Sequence, residues 1–137
     1  MVQKSFSTHW KESKNPRKQR KYRHNAPLHV KQKLMHVHLA PILREKYHHR
    51  NIQVKKGDKI IILRGSSRGK EGKVERVDLH RGKVFVSGIE NIKKEGSRVL
   101  IPLEPSNLMI KELQLNDKKR KQKLENSKKI HPEKGTL

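Results

Sequence analysis

The chain has 137 residues, with 35 Lys and Arg against 13 Asp and Glu, a formal net charge of +22 and no cysteine. Only 31% of residues are hydrophobic and 35% are charged, which leaves room for one domain with a small core. The absence of cysteine excludes a disulfide framework, a thiolate metal site and a Cys nucleophile, and agrees with an intracellular setting. No apolar run is long enough to cross a bilayer and the first residues lack the apolar core of a secretory signal, so membrane insertion is not expected. A charge of +22 exceeds what solubility requires and makes a lone compact state repel itself. A polyanion is therefore the expected partner, nucleic acid ahead of a membrane surface.

In chain order, Met1 to Glu12 shows little periodicity, with Phe6 and Trp10 as its large apolar anchors, and is expected to lack order without a partner. Trp10 could stack on a base, although a lone aromatic in a tail more often lies on a neighbouring surface or stays mobile. Ser13 to His24 holds six cations in twelve residues, namely Lys14, Arg17, Lys18, Arg20, Lys21 and Arg23, with Tyr22 its one aromatic. It cannot bury enough apolar surface to fold alone. Contact with RNA is the expected reading; a solvated charge run or an import-type signal is the plain alternative. Arg17, Arg20 and Arg23 recur at helical spacing, while Pro16 and the Asn25-Ala26-Pro27 break limit any helix to a few turns.

Asn25 can cap a helix with Pro27 in its first turn. Leu28, Leu34 and Met35 give that helix a weak apolar face opposite Lys31 and Lys33. Alternatively Met35 to Leu39 is extended, because His36 and His38 alternate with Val37 and Leu39. Pro41 starts a second short helix through Ile42, Leu43 and Tyr47, ending at His48 to Asn51, although Ala40 before it cannot cap. His36 with His38, or His48 with His49, could in principle ligate metal, but nothing supplies the remaining ligands at suitable spacing, so polar or phosphate-contacting histidines are the expected reading and no cofactor or metal is expected.

From Val54 to Gly88 three apolar runs (Ile60 to Leu63, Val74 to Leu79, Val84 to Val86) are separated by glycine-rich basic turns, the pattern of short antiparallel strands in a small β-barrel. Between the first two, Gly65, Gly69 and Gly72 bracket Ser66, Ser67, Arg68 and Lys70, a loop that can turn tightly and present N–H groups, hydroxyls and cations to phosphate. One or more of these glycines is expected at positive φ. The predicted core is Ile60, Ile62, Val74, Val77, Val84, Val86, Val99, Ile101, Leu108 and Ile110. Val74 and Val77 break strict alternation, which predicts a bulge between them. Phe85, between two inward valines, is expected to face outward, either under the N-terminal helices or stacked on a base. A second basic turn spans Asp78 to Gly82 and includes Arg81. A further hairpin turns at Glu95-Gly96, and Pro105-Ser106 leads into a last strand, Leu108 to Leu113. Asn116 can cap a polar helix from Asp117 to about Ser127, which has no apolar stripe and carries Lys118, Lys119, Arg120, Lys121 and Lys123 either along phosphate or into solvent.

The order G-D-x-hydrophobic-x-hydrophobic at Gly57 to Ile62, followed by R-G-x-x-x-G-x-x-G-x-V at Arg64 to Val74, resembles the KOW motif of ribosomal proteins and transcription elongation factors. The flanking stretches Lys14 to His29, Leu43 to Tyr47 and Pro105 to Ile110 resemble the archaeal and eukaryotic form of the KOW-type large-subunit ribosomal protein. Eukaryotic members carry an extra residue between the last two loop glycines; Gly69-Lys70-Glu71-Gly72 has none, so the resemblance leans archaeal.

That resemblance implies a mostly β fold, an SH3-like barrel over residues 54–113, preceded by a basic arm (1–24) and short helices packed on the barrel (25–53), and followed by a basic tail (114–137). It also implies a structural, non-catalytic protein of the cytoplasmic ribosome that binds large-subunit ribosomal RNA, joins early in assembly and lies near the exit of the polypeptide tunnel. Neighbouring ribosomal proteins, nascent chains and tunnel-exit factors are the implied partners. The expected RNA-binding set is Lys14, Arg17, Lys18, Arg20, Lys21, Arg23, Arg64, Ser66, Ser67, Arg68, Lys70, Lys73 and Arg81. Two other classes compete. An elongation-factor KOW module shares the barrel but normally lacks two basic flanks. An enzyme is disfavoured because Glu71, Glu75, Asp78 and Glu90 are interleaved with Lys and Arg and no Ser-His-Asp or metal-ligand grouping emerges.

Overall fold

The computed structural model describes residues 6–7 and 12–130, with side chains described as far as 126. Trp10 and residues 131–137 lie outside these. The order of elements is α1 (Pro16–Asn25), α2 (Leu28–Leu34), β1 (His36–Leu39), α3 (Pro41–Tyr47), β2 (Asn51–Gln53), β3 (Lys59–Ile62), β4 (Glu71–Asp78), β5 (Lys83–Val86), β6 (Glu90–Ile92), β7 (Arg98–Leu100), β8 (Leu108–Glu112) and α4 (Lys118–Ile130).

The first helix begins where the sequence permits one. The side chain of Asn15 accepts the N–H of Arg17, and Pro16 follows at the first helical position, where its missing N–H costs nothing. It stops at Ala26, which precedes a proline and is extended. The helix buries none of its residues. Asn25, expected to cap the next helix, is instead the last residue of α1, and α2 starts at Pro27 without a side-chain cap. The α2 face is also weaker than expected: Met35 is buried, but Leu28 and Leu34 are nearly half exposed.

The extended alternative for His36 to Leu39 holds. In β1, Val37 and Leu39 point into the core between two half-buried histidines. After β1, α3 starts at Pro41 behind an uncapped Ala40 and ends at His48, which adopts φ 54° in the left-handed region. The chain then returns as β2, antiparallel to β1.

The strands form a six-stranded sheet ordered β2-β1-β8-β3-β4-β5, in which β1 and β8 run parallel, and a separate two-stranded sheet of β6 and β7. The fold is therefore mostly β with short helices. The pairing does not close on itself: β2 and β5 are the ends of the sheet, and β5 gains one bridge, from Val84 to Leu103. The expected bulge is present, as the β4–β5 register shifts between Val74 and Arg76.

That shift sets Arg76 opposite Phe85. Phe85 is buried along with both flanking valines, and its cover is the Arg76 guanidinium, 4.2 Å from the ring centroid. The expected helix cover gives way to a cation stacked from the neighbouring strand. Of the predicted core, Ile60, Ile62, Val74, Val84, Val86, Leu108 and Ile110 are buried, Val77 and Ile101 pack at its edge, and Val99 is exposed because β6 and β7 stand apart from the main sheet. Met35, Val37, Leu39, Tyr47, Ile52, Val54, Ile89 and Leu124 complete the centre.

Leu124 reaches the core because α4 is fixed by a buried ion pair. Asp58 and Arg120 have side-chain exposures of 0% and 3%, with Nη1 and Nη2 of Arg120 donating to Oδ1 and Oδ2 of Asp58 at 2.6 and 2.7 Å. Each carboxylate oxygen takes a second donor, the N–H of Gln114 on Oδ1 and the N–H of Lys55 on Oδ2, both at 2.9 Å. Arg120 also donates to the carbonyls of Gln114 and Gln53. Such pairing offsets the cost of taking two charges out of water. The cap of α4 is Asp117 rather than Asn116: its Oδ1 accepts the N–H of Lys119, and its side chain pairs with Lys55. Arg120 is therefore a structural residue, not one of a row of solvent- or phosphate-facing cations. Asp58→Ala should lower unfolding free energy by about 3–5 kcal/mol, since it leaves a guanidinium buried without its partner. Chemical denaturation measures this, and a loss no larger than that of a surface substitution would contradict it.

Candidate nucleic-acid interface

The loop between β3 and β4 is built on glycine. Gly65 and Gly69 adopt φ of 100° and 83°, where a side chain is strained. Gly72 lies within β4 at ordinary φ, and its constraint is spatial, since a Cβ there would sit 2.5 Å from the carbonyl oxygen of Ser87. Hydrogen bonds from Gly69 N–H to the Ile62 carbonyl and from Ile62 N–H to the Lys70 carbonyl close the loop. Among the described residues, the N–H groups of Ser66 and Ser67 donate to no acceptor, and the side chains of Arg64, Ser66, Ser67, Arg68 and Lys70 form no ion pair or hydrogen bond. The loop thus turns free donors and cations toward solvent, an arrangement suited to oxyanions.

Two groups of cations stand out. Lys55, Lys59, Lys83, Arg98, Lys111 and Arg120 pair with Asp117, Glu112, Glu104, Glu90, Glu71 and Asp58 respectively. The pairing holds the carboxyls of Glu71 and Asp117 below the ordinary range, through their hydrogen bonds to Lys111 and Lys55, and raises Lys59 through Glu112. By contrast, the residues singled out from the sequence form no ion pair among the described residues: Lys14, Arg17, Lys18, Arg20, Lys21 and Arg23 on and before α1, Arg64, Arg68 and Lys70 in the loop, Lys73 on β4 and Arg81. All are exposed.

These residues do not form one surface. The glycine loop precedes β4 and the turn carrying Arg81 follows it, so the two lie at opposite ends of a strand of eight residues, roughly 23 Å apart at about 3.3 Å per residue. At the second end, Arg81 is brought together with Arg23 of α1 along one cleft. That turn is held by Asp78, which accepts the N–H of Arg81 at 3.0 Å and whose carboxyl is thereby lowered. Sequence reading missed Lys31, which joins the cleft from α2 and whose Nζ reaches the carbonyl of His80 at 3.5 Å. Its only local signal was a cation on the polar side of a short helix.

Among the described residues no group of three or more His, Asp or Glu side chains is placed to hold a metal ion, and no helix is long and apolar enough to cross a membrane. His36 stands apart chemically: burial, then the charge of Lys123 and the proximity of His49, hold its imidazole below the ordinary value of 6.5.

A small strand-rich fold that pairs Asp58, Glu71, Glu104, Glu112 and Asp117 with its own cations and leaves α1 and the glycine loop cationic defines a strongly basic β protein. The chain belongs to the family of ribosomal proteins called L26 in eukaryotes and L24 in archaea, whose sequence pattern matches residues 13–127. It is 50% identical over 108 residues to "Large ribosomal subunit protein uL24" of Methanothrix thermoacetophila, which covers 79% of this chain and 93% of that protein. The proteins of the same name from Methanosphaera stadtmanae and Methanosarcina barkeri are 47% and 46% identical, over 82% and 79% of this chain and 96% and 93% of theirs. The archaeal leaning of the loop agrees with these relatives, and the family is one of ribosomal proteins, not enzymes.

The state of His36 predicts a pH dependence. The unfolded chain takes up its proton first as pH falls, so the contribution of neutral His36 to stability is present above about pH 6.5 and is lost below it. The unsubstituted protein should lose more stability between about pH 7.5 and 5 than His36→Gln, with the carboxylate losses following nearer pH 4. Parallel thermal melts across that range test this, and identical profiles would contradict it.

Proposed function

We propose that this chain is a structural constituent of the large ribosomal subunit that binds ribosomal RNA through two cationic surfaces. One is α1 with Lys14 before it and Arg81 beside it; the other is the Arg64 to Lys70 loop with Lys73. The observation that carries this is that, among the described residues, the cations of α1 and of the loop are exposed and form no ion pair, whereas Lys55, Lys59, Lys83, Lys111 and Arg120, in or beside the sheet, are paired. Unpaired cations on a rigid scaffold neutralise phosphates without first having to break internal pairs. The names of the relatives supply the ribosomal setting.

The strand succession and the Val84 to Leu103 bridge support an SH3-like barrel as the underlying architecture. The family match over the flanks as well as the loop motif favours this reading over an elongation-factor module. Cytoplasmic residence on the ribosome, early assembly, a place near the exit of the polypeptide tunnel, and contact with neighbouring ribosomal proteins, nascent chains or exit factors follow from the family resemblance. They complete the proposal.

Each phosphate contact releases counterions, so affinity for ribosomal RNA should fall steeply with salt. Replacing Arg17, Lys18, Arg20 and Lys21 together with Ala should flatten the log-log salt slope by roughly 3 units, with little change in melting temperature because α1 buries none of these side chains. Filter-binding titrations over a salt series measure this. An unchanged slope would remove α1 from the interface.

A further inference from the structure

The cleft between the N-terminal helices and the turn after β4 has a composition that backbone neutralisation alone does not require. It encloses about 320 Å³, near the lower end of the volumes that hold small ligands. Three cations converge on it from three different elements: Arg23 from α1, Lys31 from α2 and Arg81 from the turn. Leu34, Leu79 and Pro105 give it apolar wall. Leu34 is 46% exposed here, an apolar side chain left facing water beside cations.

A surface that only followed a phosphate backbone would be convex or flat and polar throughout. A recess with apolar walls and cations among them matches a different object, a single nucleotide drawn out of a stack, whose flat base needs apolar or guanidinium faces and whose phosphate needs positive charge. Among the described residues the one acid lining the cleft, Glu104, is taken up by its pair with Lys83, so it does not cancel the field of the three cations.

Resting on the RNA-binding reading above, we infer that this cleft receives one unstacked nucleotide of the bound RNA, its base against Leu34, Leu79 and Pro105 and its phosphate toward Arg23, Lys31 and Arg81. The glycine loop at the other end of β4 offers exposed cations and N–H groups without apolar walls, and so serves the phosphate backbone alone.

The test uses the full chain and transcribed large-subunit ribosomal RNA of Methanosarcina barkeri. Ultraviolet irradiation of the complex followed by mass spectrometry locates nucleotide adducts, which form only where a base touches the protein. Adducts are expected on Leu34 to His36 or on Leu79 to Gly82. Ser106, exposed at the cleft wall, is the place to fill it: Ser106→Trp should remove the adduct and weaken binding roughly tenfold, the scale of one lost base contact. The salt slope should not change, since no charge is removed. Leu34→Asp, at a position that carries little packing, should likewise remove the adduct, and thermal melts confirm that both variants fold. Adducts confined to α1 and the Arg64 to Lys70 loop, with Ser106→Trp binding as the unsubstituted chain does, would overturn the cleft assignment and leave RNA binding intact. Failure of the unsubstituted chain to retain the RNA at all would overturn both.

Discussion

Asp58 and Arg120 form the one contact on which the placement of the C-terminal segment depends. The two are 62 positions apart, and together they tie the turn before β3, the carbonyl of Gln53 in β2, the strand exit at Gln114 and the first turn of α4 to a single buried point. A charge pair away from water is stabilising only where its hydrogen bonds are made. Here both carboxylate oxygens are doubly satisfied, while Nε of Arg120 is buried without a partner. With the guanidinium fixed, Leu124 on the next turn falls into the core, and α4 lies against α3. The same placement sets the charge of Lys123 near His36 and helps to keep that imidazole neutral.

This explains how a chain of net charge +22 folds on a small core. Self-repulsion is reduced locally, because the acids sit against cations that lie in or next to the sheet. The exposed pairs, such as Lys59 with Glu112, contribute little individually. Their larger effect is to neutralise cations in and beside the sheet, while those at the two ends of β4 and along α1 keep their charge without an acidic partner among the described residues. The fold and the field are thus separated by pairing, not by sequence segment.

Much of this could be read from the sequence. The apolar runs at Ile60, Val74 and Val84 are strands, the failure of alternation between Val74 and Val77 is the bulge, and Pro41 to Tyr47 is a helix, because each is fixed by local period or by proline. What escaped reading was long-range. Nothing near Arg120 distinguishes it from Lys119 or Lys121 until Asp58 is placed beside it, and in a thirteen-residue helix whose apolar members are Leu124 and the terminal Ile130 there is no stripe. Val99 has the pattern of a core strand residue, but the pattern does not say that its hairpin stands away from the main sheet. Which strands pair was likewise not legible locally: the ladder runs from β2 to β5 with β1 and β8 parallel within it. At the site, residue type alone identified the exposed cations, whereas the meeting of Arg23, Lys31 and Arg81 depends on how α1 and α2 lie over the β4–β5 turn.

The central claim, that paired cations hold the fold and unpaired ones meet the RNA, is tested most directly by lysine acylation footprinting with and without bound large-subunit ribosomal RNA. Lys14, Lys18, Lys21, Lys70 and Lys73 should become protected by the RNA, while Lys55, Lys59, Lys83 and Lys111, already paired with carboxylates, should keep the reactivity they have in the free protein. Protection concentrated on the paired lysines, with those of α1 and the loop unchanged, would contradict the account.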